Sequence, residues 1–317
     1  MIYNIKISRK LSLWPAACYH RTMYKFSLIL MAALMAALLP PAASHAQQEY
    51  AETPAEKVAK MQPGARPKSV VTSFHRRAVE SSDAPWRSIG RVNVGGYAHC
   101  TGSLIAENIV LTAAHCLYAK HTGKMVPPAI VHFLAGYAKG EYLAHSKVSR
   151  YTVGSGFNGT KGSLPENMPH DWALLLLVDP IGTEHGFLDI HSNLKSSGTS
   201  GGARPRIALP SNNIVTAGYP GDRAHILSLE ENCQVKNVRA RGRVLVTNCT
   251  AIPGDSGGPI LQQPNGNWVI IGLNVASVRN DTMHGSIVLS ALAFRDALAA
   301  VQKQLAKENL PAPNPAE

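Results

Sequence analysis

A serine in a glycine-rich turn is the residue of this sequence best suited to covalent chemistry. Ser256 lies in the segment GDSGGP at residues 254–259. A serine hydroxyl is a weak nucleophile unless a base accepts its proton and hydrogen-bond donors stabilise the negative charge that develops on the substrate. Flanking glycines allow successive backbone N–H groups to point into one small volume. The candidate donors are therefore the amides of Gly254 and Ser256.

Two other segments offer a base and a carboxylate. His115 lies at the end of an apolar strand in LTAAHC, residues 111–116, where small alanines leave room around the imidazole. Asp171 opens the apolar stretch DWALLLL, residues 171–177. A buried carboxylate beside an imidazole fixes the tautomer of the ring and stabilises the imidazolium. Taken alone, His115 could be an ordinary exposed histidine and Asp171 an ordinary cap at the start of a strand. Together with Ser256 they form a specific combination.

In the order His, Asp, Ser these segments resemble the chymotrypsin/trypsin-like serine peptidases. CTGSLI at residues 100–105 and IIGLNVAS at residues 270–277 match the same family. The resemblance covers the chain from about residue 88 to the terminal helix. AGYPGD at residues 217–222 is closer to the bacterial glutamyl-endopeptidase-like (V8-like) branch of the family.

The resemblance implies a serine endopeptidase and a role for each residue. His115 is the general base and later the general acid, Asp171 orients it, and Ser256 forms the acyl-enzyme. The amides of Gly254 and Ser256 form the oxyanion hole. Asp255 corresponds to the aspartate that pairs with a newly freed amino terminus in trypsin-like zymogens. By position, Arg87 precedes the expected processing site.

The family pattern also identifies substrate-binding positions. Thr250 stands where enzymes that cut after Lys or Arg carry an aspartate, so trypsin-type specificity is not expected. Ala251 and Asn274 stand where glutamate-specific relatives carry a hydroxyl residue and a histidine, and a buried substrate carboxylate would lack a partner here. We therefore predict a small or apolar side chain at the cleavage site. The segment that pairs with the substrate backbone corresponds to Val275, Ala276 and Ser277.

Many short strands must position these residues. Apolar or β-branched runs separated by Gly, Pro, Asn and Ser follow one another from about residue 88, which indicates an all-β protein. The resemblance implies two antiparallel six-stranded Greek-key barrels, at about residues 88–195 and 205–290. A Gly/Ser-rich stretch at 196–203 between them is either a surface loop or a linker. Apolar residues at intervals of three and four predict a terminal α-helix at about 291–309, followed by a proline-rich tail at 311–317.

A leader is predicted at the amino terminus. The apolar run at residues 28–39 is shorter than the roughly 20 residues that span a bilayer, and it fits a secretory signal peptide. We place the cut after Ala46, with Met23 as an alternative start. Residues 47–87 are polar and punctuated by Pro and Gly, which predicts a pro-segment or flexible lead. The mature protein is then secreted or periplasmic, with no membrane span.

The cysteine count agrees with export. The sequence has five cysteines, and Cys18 leaves with the leader. The other four can close as two disulfides in an oxidising compartment, in any of three pairings. The resemblance favours Cys100 with Cys116, the bridge of the histidine loop, and hence Cys233 with Cys249.

Charge and composition restrict the other function classes. The net charge of +11 falls to +6 when the leader removes five basic residues and no acidic one, which weakens the case for a nucleic-acid partner. The basic run RARGR at residues 239–243 is interpreted as a solvated hairpin tip. We expect no cofactor, no metal, a polypeptide substrate and a monomer. The alternative function is a non-catalytic binding protein that keeps the peptidase fold. No paired metal-ligand spacing occurs at six of the other histidines, which are His121, His132, His145, His185, His191 and His225.

Overall fold

The computed structural model describes residues 75–191, 212–279 and 284–308, together with two short strands at 196–197 and 206–207. All of these residues belong to one compact unit, Ser69–Glu317. The predicted leader, the first part of the predicted lead and the proline-rich tail lie outside the described residues.

Strands are the most abundant regular structure among the described residues. In chain order the strands are β1 (Arg77–Ala78), β2 (Ile89–Val94), β3 (Ala98–Leu104), β4 (Ile109–Thr112), β5 (Tyr118–Ala119), β6 (Lys124–Met125), β7 (Val131–Ala135), β8 (Ala144–Val153), β9 (Ala173–Leu177), β10 (Asp189–Ile190), β11 (Ser196–Ser197), β12 (Arg206–Ile207), β13 (Ile214–Gly218), β14 (Ser228–Cys233), β15 (Val235–Arg239), β16 (Val244–Thr247), β17 (Pro259–Gln262), β18 (Val269–Arg279) and β19 (His284–Ser290). The α-helices are α1 (Gly182–His185) and α2 (Arg295–Glu308). The 3-10 helices are Trp86–Ser88, Ala114–Leu117, Pro128–Ile130, Gly159–Lys161, Met168–His170, Gly221–Arg223, Ala240–Gly242, Pro264–Gly266 and Ala291–Ala293.

The first predicted barrel is present. Six strands close on themselves in the order β2, β3, β4, β9, β8 and β7, with antiparallel pairing throughout. Its interior is a continuous apolar cluster that includes Val92, Leu104, Phe133 and Leu175, all of them fully buried. Because side chains alternate across each strand, one face of every strand fills this core.

The second barrel closes through a bent strand. Its sheet runs β14, β13, β17, β18, β19, β16, β15. The two ends of this order, β14 and β15, are separated along the chain by Gln234 alone. If β14 and β15 are counted as one bent strand, the sheet has six strands, and its first and last strands are the same one, as in a barrel. This agrees with the predicted pair of antiparallel barrels, and β1 and β10 are added at the margin of the sheet.

The folded unit begins earlier than the sequence analysis placed it. The predicted lead extends to residue 87, but β1 pairs with β14 through Arg77 opposite Leu229 and Ala78 opposite Ser228. Arg76 is buried, as is Ser81, whose hydroxyl donates to the Gly136 carbonyl at 2.9 Å. This segment has no apolar periodicity because polar contacts and a two-residue strand hold it, so composition did not reveal it.

The terminal helix packs as its pattern predicts. Phe294 and Leu298 are buried, and Val301 and Leu305 pack against the same core cluster. At the far end of α2, Glu308 pairs with Arg150 of β8 at 2.6 Å. In the described part of the chain, no helix combines the length and the apolar character needed to cross a membrane.

The cysteines and the basic run have the predicted arrangement. Disulfides join Cys100 to Cys116 and Cys233 to Cys249, and each closes a separation of 16 residues. The run at residues 239–243 turns between the paired strands β15 and β16, inside the second disulfide loop. The Gly/Ser-rich stretch at 196–203 begins with β11, which pairs with β12, and most of the remainder lies outside the described residues.

Candidate active site

The structure brings His115, Asp171 and Ser256 into one hydrogen-bonded chain. His115 Nδ1 lies 2.7 Å from Asp171 Oδ2, and His115 Nε2 lies 2.8 Å from the Ser256 hydroxyl. The other carboxylate oxygen, Asp171 Oδ1, accepts the backbone N–H of His115 at 2.8 Å. A carboxylate that accepts from both the ring and the backbone of the same histidine fixes where that ring lies.

Strand pairing explains why the histidine and the aspartate meet. β4 pairs with β9, and Thr112 lies opposite Ala173 at the end of the ladder. His115 follows β4 in the 3-10 helix Ala114–Leu117, and Asp171 precedes β9. Both residues therefore emerge at the same edge of the first barrel. The disulfide from Cys116 to Cys100 ties this turn to β3.

Ser256 comes from the second barrel, in the turn between β16 and β17. This turn needs two glycines in the left-handed region, Gly254 at φ +100° and Gly257 at φ +80°. A Cβ at position 254 would meet the Tyr219 carbonyl, and one at position 257 would meet Thr112 and the Thr101 carbonyl. The glycines seen in the sequence are thus required both by backbone conformation and by close packing against the first barrel.

The amides expected to form an oxyanion hole are available. Within the described parts of the chain, the N–H groups of Gly254 and Ser256 donate to no protein acceptor, whereas those of Asp255 and Gly257 donate to Ile252 and Asn274 carbonyls at 3.1 and 2.7 Å. Buried backbone donors are normally paired. Two free donors flanking the serine hydroxyl are what a developing oxyanion requires.

Thr101 of the first barrel anchors this turn. Its N–H donates to the Ser256 carbonyl at 2.9 Å, and its hydroxyl donates to the Gly254 carbonyl at 2.8 Å. The same hydroxyl accepts the N–H of Tyr219 at 3.0 Å. Thr101 is fully buried. One side chain therefore holds the serine turn and the end of β13 against β3.

His99, two residues earlier on β3, lies beside the same turn. Its Nε2 is 3.0 Å from the Tyr219 carbonyl, so this nitrogen carries the proton and donates. Burial is the main cause that lowers the pKa of His99, and the hydrogen bond to the Tyr219 carbonyl opposes it. The neutral ring is the form that this partly buried position favours.

A cleft of about 430 Å³ opens beside Ser256. Of the predicted substrate-binding residues, Ala251, Asn274, Ala276 and Ser277 line it. Thr250 and Val275 are not among its lining residues. The backbone of Thr250 contacts Arg76 and Glu230, and Val275 is buried. Its other lining residues are Ile252 and Pro253 of the serine turn, together with Lys120 and Ser163 of the first barrel, which the sequence analysis did not identify.

Asn274 forms one wall of this cleft and is almost fully buried. Its Nδ2 donates to the Thr216 hydroxyl at 2.7 Å, while its Oδ1 has no protein partner among the described residues. Its carbonyl accepts the N–H of Gly257 at 2.7 Å, which fixes the position of the cleft wall relative to the serine turn.

The strand that borders the cleft has an open edge. β17 pairs with β18 only from Val269 to Leu273, opposite Gln262 to Pro259. Beyond Asn274, no described strand pairs with β18 on that side, so the backbone of residues 275–279 can accept an added strand. The predicted segment of Val275, Ala276 and Ser277 lies at this edge.

An unpredicted cation lies behind the serine turn. Arg76 Nη1 is 2.7 Å from Asp255 Oδ1, and both side chains are almost completely buried. Burial raises the pKa of Asp255, and the Arg76 guanidinium opposes that rise. No sequence pattern indicates this pair, because 179 positions separate the two residues and Arg76 lies in a polar segment.

One group of potential metal ligands lies near the site, Cys100, His115 and Cys116. Both sulfurs are bonded to each other in a disulfide, so neither is a thiolate that could bind a metal ion.

Comparisons with known proteins agree with this geometry. The family model described as Trypsin matches residues 76–289. The chain is 30% identical over 173 residues to a glutamyl endopeptidase of Bacillus licheniformis, in an alignment that covers 53% of this chain and 48% of that protein. It is 28% identical over 175 residues to serine protease 23 of Homo sapiens, covering 51% of this chain and 42% of that protein. The chain thus spans less than half the length of these curated relatives.

Among solved structures, the fold matches one described as a Glu endopeptidase in complex with MPD. The TM-score is 0.56 at 24% sequence identity, and the match covers 71% of this chain and 95% of that chain. At this level of identity the likeness shows the fold alone.

Proposed function

This chain belongs to the trypsin family, and we propose that it is a secreted or periplasmic serine endopeptidase that cleaves peptide bonds through an acyl-enzyme on Ser256. The observation that carries the proposal is the chain of hydrogen bonds from Asp171 through His115 to the Ser256 hydroxyl, at 2.7 and 2.8 Å.

The first half of the reaction forms the acyl-enzyme. Ser256 Oγ attacks the carbonyl carbon of the scissile bond while His115 Nε2 accepts the hydroxyl proton. The negative charge moves to the former carbonyl oxygen, where the amides of Gly254 and Ser256 donate to it. The imidazolium, stabilised by Asp171, then gives its proton to the departing amine, and the C–N bond breaks.

The second half releases the other product. A water molecule attacks the ester carbonyl while His115 Nε2 takes one of its protons, and the same two amides bind the new oxyanion. When the tetrahedral intermediate collapses, His115 returns the proton to Ser256 Oγ. The enzyme leaves the cycle unchanged, and one peptide bond has been hydrolysed.

The cleft supports the predicted preference for a small or apolar side chain at the cleavage site. Ala251, Ile252, Pro253 and Ala276 supply apolar surface, and the lining contains no carboxylate that could pair with a substrate Lys or Arg. Lys120 is the charged residue of the lining, and it is exposed, so solvent screens its charge.

Hydrolysis of a peptide library by the purified chain tests both parts of the proposal. We expect cleavage after small or apolar residues, and none by Ser256→Ala, which removes the nucleophile but retains the fold. A profile dominated by acidic residues that collapses in Lys120→Gln would contradict the apolar preference and assign recognition to Lys120. No hydrolysis of any peptide by wild-type protein would favour the non-catalytic binding protein instead.

Export is tested separately, by expression of the full chain in a bacterial host followed by cell fractionation. We expect the protein in the periplasm or medium, with both disulfides closed and the first residue of the product at or after Gln47. Accumulation of full-length, reduced chain in the cytoplasm would contradict this part of the proposal.

A further inference from the structure

The buried ion pair behind the serine turn links the start of the folded unit to its active site. Arg76 donates from Nη1 to Asp255 Oδ1 at 2.7 Å and from Nη2 to the Thr250 carbonyl at 3.0 Å. Its side chain is 0% exposed and that of Asp255 is 1% exposed. Burying a charged pair is costly unless each partner is well satisfied, and removal of one partner leaves the other as an isolated buried charge.

Asp255 depends on this cation. Its other oxygen, Oδ2, accepts the N–H of Ile252 at 3.0 Å, and the Asp255 N–H donates back to the Ile252 carbonyl at 3.1 Å. Among the described residues, Arg76 is its ion-pair partner. Without the guanidinium, the carboxylate would have to take a proton or move towards water.

The contacts of Arg76 span the part of the turn that sets up the oxyanion donors. Thr250 and Asp255 lie at the two ends of the segment that passes through Gly254, and one guanidinium holds both ends. The Gly254 amide and the Ser256 amide flank Asp255 directly. Any movement of the Asp255 carboxylate would therefore reorient the two donors.

We propose that Arg76 is a positioning residue that fills the role of a freed amino terminus, so that the oxyanion hole forms without proteolytic processing after Arg87. The proposal rests on the proposed peptidase function. In this enzyme the segment around Arg76 is a permanent internal activator rather than an inhibitory lead. Cleavage after Arg87 would create a new amino terminus at Ser88, directly before β2 of the first barrel. Asp255 does not need that terminus, because it already pairs with the Arg76 guanidinium.

The neighbours of Arg76 are consistent with a structural cation rather than a surface contact. Glu230 of β14 lies 3.9 Å from Arg76 Nε and accepts the Thr250 N–H at 2.7 Å. His75 contacts the same carboxylate at 3.3 Å. From the other side, Arg223 donates to the Arg76 carbonyl at 3.2 Å, and Asp222 acts on Asp255 through its charge.

A guanidinium and an amino terminus predict different pH profiles. An α-ammonium group has an ordinary pKa of about 8, and pairing with a carboxylate raises that pKa, so an enzyme that depends on one loses activity as pH rises above about 8. A guanidinium stays charged beyond about pH 12. None of the neighbouring groups, Glu230, His75, Asp222 and Arg223, normally changes charge between pH 8 and pH 10. We therefore expect the kcat of the wild-type enzyme to stay constant across that interval.

The decisive comparison uses two adjacent arginines. Arg76→Gln removes the buried cation, and we expect kcat to fall roughly 10²–10³-fold with little change in KM, the effect of losing an oxyanion donor. Arg77→Gln is the matched control, because Arg77 is exposed and its ion-pair partner among the described residues is Glu231, at the surface. It should keep wild-type kcat. Added guanidinium ion, at concentrations too low to unfold the protein, should restore part of the activity of Arg76→Gln and leave Arg77→Gln unchanged.

Each outcome separates this proposal from the proposed function. Wild-type protein without hydrolytic activity would overturn the peptidase assignment and this proposal with it. Active wild-type enzyme with an equally active Arg76→Gln variant would overturn this proposal alone, as would active enzyme whose first residue lies after Arg76. If Arg76→Gln does not fold, the wild-type pH profile decides: constant kcat between pH 8 and pH 10 supports the proposal, and a decline within that interval contradicts it.

Discussion

The hydroxyl of Thr101 offers a sharp test of how the two barrels hold the serine turn. Thr101→Val keeps the size and branching of the side chain but removes the hydroxyl that donates to Gly254 at 2.8 Å and accepts from Tyr219 at 3.0 Å. Each of these buried backbone groups then lacks a partner, at a cost of about 1–3 kcal/mol. The additional buried methyl group returns about 0.8 kcal/mol. We expect a net loss of about 3 kcal/mol in the free energy of unfolding.

Thr101→Ser is the matched control. It keeps both hydrogen bonds and loses one buried methyl group, at a cost of about 1 kcal/mol. Urea unfolding followed by tryptophan fluorescence measures both values, in a Ser256→Ala background so that unfolded chains are not digested. With Ser256 restored, Thr101→Val should also have a lower kcat, since the amide of Gly254 is one of the two proposed oxyanion donors. If Thr101→Val is as stable as Thr101→Ser, the hydroxyl does not anchor the turn and the reasoning is refuted.

Three further predictions follow from individual contacts. In Asp171→Asn the new amide N–H can donate to His115 Nδ1, so the ring proton moves to Nε2 and that nitrogen can no longer accept the proton of Ser256. We expect kcat at neutral pH to fall about 10⁴-fold with KM little changed. An unaffected kcat would exclude the orienting role of Asp171. Burial lowers the pKa of His99 in the folded state, so its contribution to stability is complete above about pH 6.5 and is lost as pH falls through the folded pKa. Urea unfolding at pH 7 and pH 5 should show a smaller acid-induced loss for His99→Gln than for wild type, and equal losses would contradict this. Replacement of both Cys100 and Cys116 by Ser should lower stability by about 3 kcal/mol, because the closed loop spans 16 residues, and a loss of under about 1 kcal/mol would contradict the chain-entropy account.

That His115, Asp171 and Ser256 lie together could be predicted from the sequence, because short local patterns mark each of them. His115 and Asp171 each adjoin an apolar strand, and pairing of those two strands brings their ends together. The glycines around Ser256 are needed wherever a backbone takes positive φ in close packing. These segments can be recognised in the sequence because the residues that each one needs are neighbours along the chain.

The ion pair of Arg76 and Asp255 could not be predicted, because it depends on contacts between distant parts of the chain. The segment that contains Arg76 is polar, its strand has two residues, and its partner lies 179 positions away. Composition alone placed it in a flexible lead. A buried ion pair produces no periodic pattern in a sequence, and only the folded structure shows that the pair is present.

The cleft shows the same limit at the level of specificity. Lys120 and Ser163 reach it from loops of the first barrel, and their positions depend on how the two barrels are joined. Thr250 was predicted from the family pattern to line the pocket, but its backbone instead contacts Arg76 and Glu230. The position of a residue relative to the serine thus does not by itself place that residue in the cleft.

Covalent labelling of Ser256 tests the central claim most directly. A fluorophosphonate should add once to the wild-type protein, and mass spectrometry of the digested adduct should place the label on the peptide that contains Ser256. Labelling should disappear in Ser256→Ala and slow strongly in His115→Ala, because the hydroxyl then lacks its base. Absence of an adduct on folded wild-type protein, or an adduct on another residue, would contradict the assignment of Ser256 as an activated nucleophile.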